Sequence, residues 1–123
     1  MADYHQLTEF WGADLYEHHG WRVCEFKPRM DRQADTIGLA DATWQALGAT
    51  QPMRLVLDMQ HVDFMASSLM GALVQLHKRV AMTGGAMHVC GLQEHPAEAL
   101  HACQLQTIIP LFANVDAAAG FGG

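Results

Sequence analysis

The chain has 123 residues, half of them apolar and 16% charged, a composition that can bury one core unaided and argues against a disordered chain. Thirteen acidic against seven basic side chains give a formal charge of -6, which disfavours a grip on phosphate backbones and so argues against a nucleic-acid partner. No apolar run approaches the roughly 18 residues of a bilayer span, the start MADYHQLTEF is unlike a secretory leader, and the three cysteines are far apart; a single cytoplasmic domain with no membrane partner and reduced, mostly buried thiols is expected.

Residues 1–20 form a leading segment in which LTEFWGADLYEHHG reads as a strand with a hairpin turn or as a short helix, the strand being preferred. WRVCEFK, from Trp21, reads as a strand with apolar residues on both faces. Asp35 can cap a helix on which Ile37, Ala40, Trp44 and Leu47 share one face, with Gly48 as its stop. RLVLDM, Arg54 to Met59, behind Pro52, suits a strand covered on both sides. Leu69, Leu73, Leu76 and Val80 then repeat at helical spacing, with Gln75, His77, Lys78 and Arg79 on the wetter side. After the turn signal Thr83, Gly84, Gly85 comes a second interior strand, AMHVCG. Pro96 opens a third helix carrying Ala99, Leu100 and Cys103, and TIIPLF, from Thr107, is a last strand that Pro110 places at an edge or confines to a few residues. Residues 116–123, DAAAGFGG, read as a short flexible tail. Strands alternating with helices imply right-handed crossovers and a mainly parallel sheet in an α/β domain.

Ser67 and Ser68 stand at the start of the helix that follows RLVLDM. A serine there is a preferred cap, and the same place is an anion site, with unpaired N–H groups and the positive end of the helix dipole. Phosphorylation would add a charge of about -1.5 to -2, which can end binding to a partner without unfolding the domain. Met65, Ala66, Leu69 and Met70 are available as an apolar patch around the hydroxyls. The stretch lacks a GxSxG elbow and no triad spacing accompanies it, so catalysis is not expected. His18 and His19 are adjacent and should point apart on a regular element, and His95 and His101 are six apart; neither a metal nor a cofactor is expected. Asp58, at a strand end, reads either as an acid bonded by loop N–H groups or as a ligand position.

RLVLDMQHVDFMASSLMGALVQLHKRVAMTGGAMHVCGL resembles the central part of a STAS domain, the fold of bacterial anti-sigma factor antagonists. In that family a strand of the form VLDL, a loop ending in phenylalanine and D-S-S-G-L-G opening a helix are followed by GG, a strand and a further helix. The similarity continues through Pro96, Leu105, Ile108, Ile109 and Phe112. It implies a mixed, mainly parallel sheet of four to five strands with helices mainly on one face. It also implies partner switching in the control of transcription. The unmodified antagonist binds an anti-sigma factor that is also a serine kinase, phosphorylation of the motif's first serine ends that binding, and a serine phosphatase resets it. By position that serine is Ser67, with Ser68 as second choice. The implied partner surface comprises Met65, Ala66, Ser67, Ser68, Leu69 and Met70 with Lys27, Arg29 and Asp31 of the loop after the second strand. Ala66 replaces the family's aspartate and Leu69 its glycine, which keeps a second reading in view, a constitutive, non-phosphorylated STAS interaction or scaffold module. A third, a small-ligand sensor, requires a pocket. The expected protein is a bacterial phosphoprotein without catalytic activity, a monomer or weak dimer.

Overall fold

In a computed structural model, which describes residues 2–120, the leading segment forms two strands, β1 (Asp3–Gln6) and β2 (Trp11–His18). Period-two alternation makes the second: Trp11, Ala13 and Leu15 are buried while Asp14 and Tyr16, on the other face, remain partly exposed. β2 turns through His19 and Gly20 into the antiparallel β3 (Trp21–Pro28), with positive φ at both turn residues, 51° and 83°. That is the type I′ geometry whose twist matches a hairpin. The turn also redirects His19, so that the His18 and His19 rings lie 4.3 Å apart rather than on opposite sides of a strand. Where β1 pairs with β2, the Tyr4 ring lies over Gly12; a Cβ there would stand 2.0 Å from the Tyr4 hydroxyl and would turn that exposed ring aside.

Beyond β3 the chain adds three parallel neighbours in turn, β4 (Arg54–Asp58), β5 (Ala86–Cys90) and β6 (Leu111–Phe112), giving one six-stranded sheet in the order β1 to β6. The crossovers run through α1 (Leu39–Leu47), α2 (Ser67–Met82) and α3 (Glu94–Ala102). Because each crossover advances the sheet in the same direction with the same hand, the three helices lie on one face. Their buried Leu39, Leu47, Leu69, Leu73, Leu76, Val80 and Leu100 pack with Phe26, Leu55, Leu57, Met87 and Val89 of the sheet. The opposite face is covered only in part: α4 (Val115–Ala118) places Ala118 over Val23, Val56 and Cys90.

The expected α/β layer with helices mainly on one face is present, with six strands rather than four to five. The addition is β1, which pairs with the expected leading strand β2; the expected last strand is present as the two-residue β6, which follows Pro110 at the sheet edge. α1 starts later than its periodicity suggested, since Gly38 takes a left-handed φ of 74° and leaves Ile37 outside the helix, 88% exposed. Asp35 caps nothing; its carboxylate pairs with Arg32 at 3.1 Å. Pro96 is the third residue of α3, still among the N–H positions that have no acceptor within the helix. Residues 116–120 are not a free tail: Asn114 Oδ1 accepts from Ala117 N at 2.9 Å and Ala118 is fully buried, while 121–123 lie outside the described residues. Cys24 and Cys90 are buried, but Cys103, following α3, is exposed. No described helix is long and apolar enough to cross a membrane.

Candidate functional site

Between β4 and α2 the chain is pinned from inside. Met59, Val62 and Met65 point into the core, which leaves Asp63 and Phe64 at the surface. Gln33, only 5% exposed, fixes that arrangement. Its Nε2 donates to Asp63 Oδ1 at 2.7 Å and to the Met30 carbonyl at 3.2 Å, and its Oε1 accepts from Asp63 N at 3.0 Å and Phe64 N at 3.3 Å. One buried amide thus joins the 29–38 loop to the entry of α2 through four partly buried hydrogen bonds. The N-terminal hairpin supports the same loop. Trp11 Nε1 donates to the Asp35 carbonyl at 2.9 Å, Arg29 N donates to the Phe10 carbonyl at 2.7 Å, and the Arg32 guanidinium lies 3.9 Å from the Phe10 ring centroid.

At the start of α2 the cap position is Ala66, in extended conformation, and it offers no side-chain acceptor. The expected capping role of the serines is therefore corrected: they fall one and two residues inside the helix, where a side chain no longer reaches back to the orphan N–H groups. Both are exposed. Ser68 Oγ approaches the Ala34 carbonyl at a weak 3.5 Å, whereas the Ser67 hydroxyl makes no hydrogen bond among the described residues. The first turn holds no acid, so the positive end of this 16-residue helix is not neutralised by its own side chains.

The structure separates the expected partner residues into three groups. Ser67, Ser68, Arg29 and Asp31 are exposed, Arg29 and Asp31 pairing with each other at 2.8 Å, and Ala66 and Met70 are half-buried. Met65 and Leu69 are core residues, 4% and 0% exposed, because Leu69 falls in phase with Leu73 and Leu76 on the side of α2 that meets the sheet. Lys27 projects from the opposite face of the sheet, where it pairs with Asp14 at 2.7 Å. The apolar surface near the serines comes instead from Met30, Ile37 and Phe64, exposed by 56%, 88% and 45%. Phe64 stacks on His95 of α3, ring centroids 5.5 Å apart. A groove of about 450 Å³ runs beside Ser68 between Asp31, Asp35 and Ile37. Phe64 was findable as the apolar residue out of phase with Met59, Val62 and Met65; no sequence pattern marks Gln33.

A second cleft, of about 460 Å³, opens where the sheet face meets α4 and is lined by Tyr16, His18, Asp58, Gln60, Asn114 and Asp116. Asp58 is the strand-end acid bonded by its loop: Oδ1 accepts from Gln60 N at 3.1 Å and Oδ2 from Gln60 Nε2 at 2.7 Å. Burial holds its carboxyl above the usual range, and the bonds from Gln60 partly offset this. Burial, then the neighbouring Asp58, pushes the Tyr16 hydroxyl up to about 12. Gly91 makes room for the acid, since a Cβ there would stand 2.8 Å from Asp58 Oδ1.

Comparison with known proteins agrees with this architecture. The STAS domain family matches residues 22–118. An anti-sigma-factor antagonist (STAS) domain protein from Planctomyces limnophilus superposes with a TM-score of 0.76 at 19% identity, covering 90% of this chain and 98% of its own. A Thermotoga maritima protein described as a candidate anti-sigma factor antagonist gives a TM-score of 0.63 at 14% identity, over 80% of this chain and 85% of its own. No curated protein sequence matches. The solved structures establish likeness of fold, the family match covers most of the chain, and the chain belongs to the STAS domain family.

Proposed function

We propose that this STAS domain is a bacterial, cytoplasmic anti-sigma factor antagonist that works by partner switching. Unmodified, it binds an anti-sigma factor with serine-kinase activity through the surface around Ser67, Ser68, Arg29, Asp31, Ala66 and Met70, extended by Met30, Ile37 and Phe64. Phosphorylation of Ser67 ends that binding and a serine phosphatase restores it. The domain acts as a monomer or weak dimer and performs no chemistry itself. The observation that carries this reading is the Ser67 hydroxyl, exposed at the start of α2 and making no hydrogen bond among the described residues. A kinase reaching it breaks no structural contact, and the added charge meets a helix end suited to an anion. The acids of this surface, Asp31 and Asp35, are already balanced by Arg29 and Arg32, so a phosphate on Ser67 adds unbalanced negative charge and repels a partner that tolerates the unmodified face.

Ala66 and Leu69 favour a second reading, a constitutive interaction module, because the acid that the family places before the serine is missing and the glycine after it is a packed leucine. Phosphotransfer separates the two. The purified anti-sigma factor kinase with ATP is expected to label the wild type and not Ser67→Ala, and Ser67→Asp should bind that kinase about tenfold more weakly or worse. Equal affinity of wild type and Ser67→Asp, with no labelling, would leave the constitutive module.

A further inference from the structure

His18 ends β2, His19 begins the turn after it, and Asp116 lies in α4, 98 residues further along the chain from His18. Nonetheless one ligand atom from each lies within 4.8 Å of the others. His18 Nε2 and Asp116 Oδ1 are 2.5 Å apart, and the two imidazole rings stand at 73° to each other. All three residues are carried on fixed backbone. The β2–β3 register closes on the pair His18 and Trp21, which sets the turn. α4 is held by the Asn114 cap, by buried Ala118, and by a 2.7 Å bond in which His88 Nδ1–H donates to the Ala118 carbonyl.

We propose that His18, His19 and Asp116 form a binding site for one divalent transition-metal ion of the zinc class. Two imidazoles and one carboxylate suit such an ion and disfavour Mg²⁺ and Ca²⁺, which take oxygen ligands. Three protein ligands leave the fourth tetrahedral position to water. Bonds of 2.0 to 2.2 Å put ligand atoms of a tetrahedral ion about 3.3 Å apart, so His18 and Asp116 must separate by less than about 1 Å to admit it. Both side chains have that freedom, being 32% and 61% exposed. The ion then takes the place of the direct contact between His18 and Asp116. Its effect is mechanical: it clips the β2–β3 turn to α4 and ties the C-terminal end of the domain to the open sheet face.

Calorimetry with Zn²⁺, and Co²⁺ absorption in the visible, on the untagged full chain are expected to show one ion per chain. Asp116→Asn and His19→Asn should each weaken it by about tenfold or more; asparagine is chosen at 19 because it tolerates the left-handed φ. His95→Ala, in α3, should leave affinity unchanged. Zn²⁺ should also raise the melting temperature of the wild type and not that of Asp116→Asn. The absence of binding at submillimolar Zn²⁺ would overturn the site, as would binding that His95→Ala weakens as much as Asp116→Asn. Circular dichroism of the variants shows that a lost site is not a lost fold.

Discussion

The entry of α2 and the open face of the sheet are built on opposite plans. On the sheet face the polar groups satisfy one another: Asp58 with Gln60, Glu25 with His61, Asp14 with Lys27, His18 with Asp116. At α2 the loop charges also pair, Arg29 with Asp31 and Arg32 with Asp35, but the helix start itself is left open: Ser67 is unbonded among the described residues, with no side-chain cap and no acid in the first turn, while the backbone beneath is fixed by Gln33, Met65 and Leu69. A self-paired surface resists a protein partner because many pairs must be broken at once. Uncommitted groups on a rigid base cost little to engage, which is what a binding site held by an ordered scaffold requires.

The contrast breaks hardest at its base. Leu69→Ala should destabilise the domain by about 2–5 kcal/mol in urea unfolding, since the residue at the heart of the serine motif is fully buried. A surface role for Leu69 would give a change near zero. Gln33→Ala should cost about 1–3 kcal/mol, because it leaves Asp63 and Phe64 amides without acceptors. Hydrogen exchange should speed up at those two amides first. Ser67→Ala should change stability by no more than about 0.5 kcal/mol, as there is no cap bond to lose. Ser67→Asp should add about 0.3–1 kcal/mol through the helix dipole while weakening partner binding, so fold and binding move in opposite directions.

The smallest effect lies on the sheet face and depends on pH. Burial raises the Asp58 carboxyl above its ordinary 3.8 in the folded state, so the native protein binds protons more readily there than the unfolded chain. The contribution of Asp58 to stability is therefore fully present below 3.8 and is lost as pH rises from there through the higher folded value. Asp58→Asn should be slightly more stable than wild type at neutral pH, with the gain shrinking as the urea midpoint is followed down to about pH 4. A gain that grows on acidification would contradict the assignment.

Much of the scaffold was legible in the sequence because burial imposes period. Leu69, Leu73, Leu76 and Val80 on α2, and the continuous apolar run of β4, announced a helix lying on a doubly covered strand. What escaped was decided by single backbone angles. Gly38 excluded Ile37 from α1 and turned it outward, and the φ of 51° at His19 brought two adjacent histidines together. The site was legible in place but not in detail. The serine pair marked the helix start, yet whether Ala66 or Ser67 took the cap position was a difference of one residue, and helix phase moved Met65 and Leu69 from surface to core. Strand alternation moved Lys27 to the far face. Gln33 went unseen because its contacts join segments 30 residues apart.

The most direct test of the central claim is phosphopeptide mapping of the protein isolated from its own cells, during growth and under stress. The account predicts a phosphate on Ser67 whose occupancy changes with condition and falls as the anti-sigma factor co-purifies. An unmodified Ser67 in every condition, with that partner bound throughout, would contradict the switch and leave a constitutive binding module.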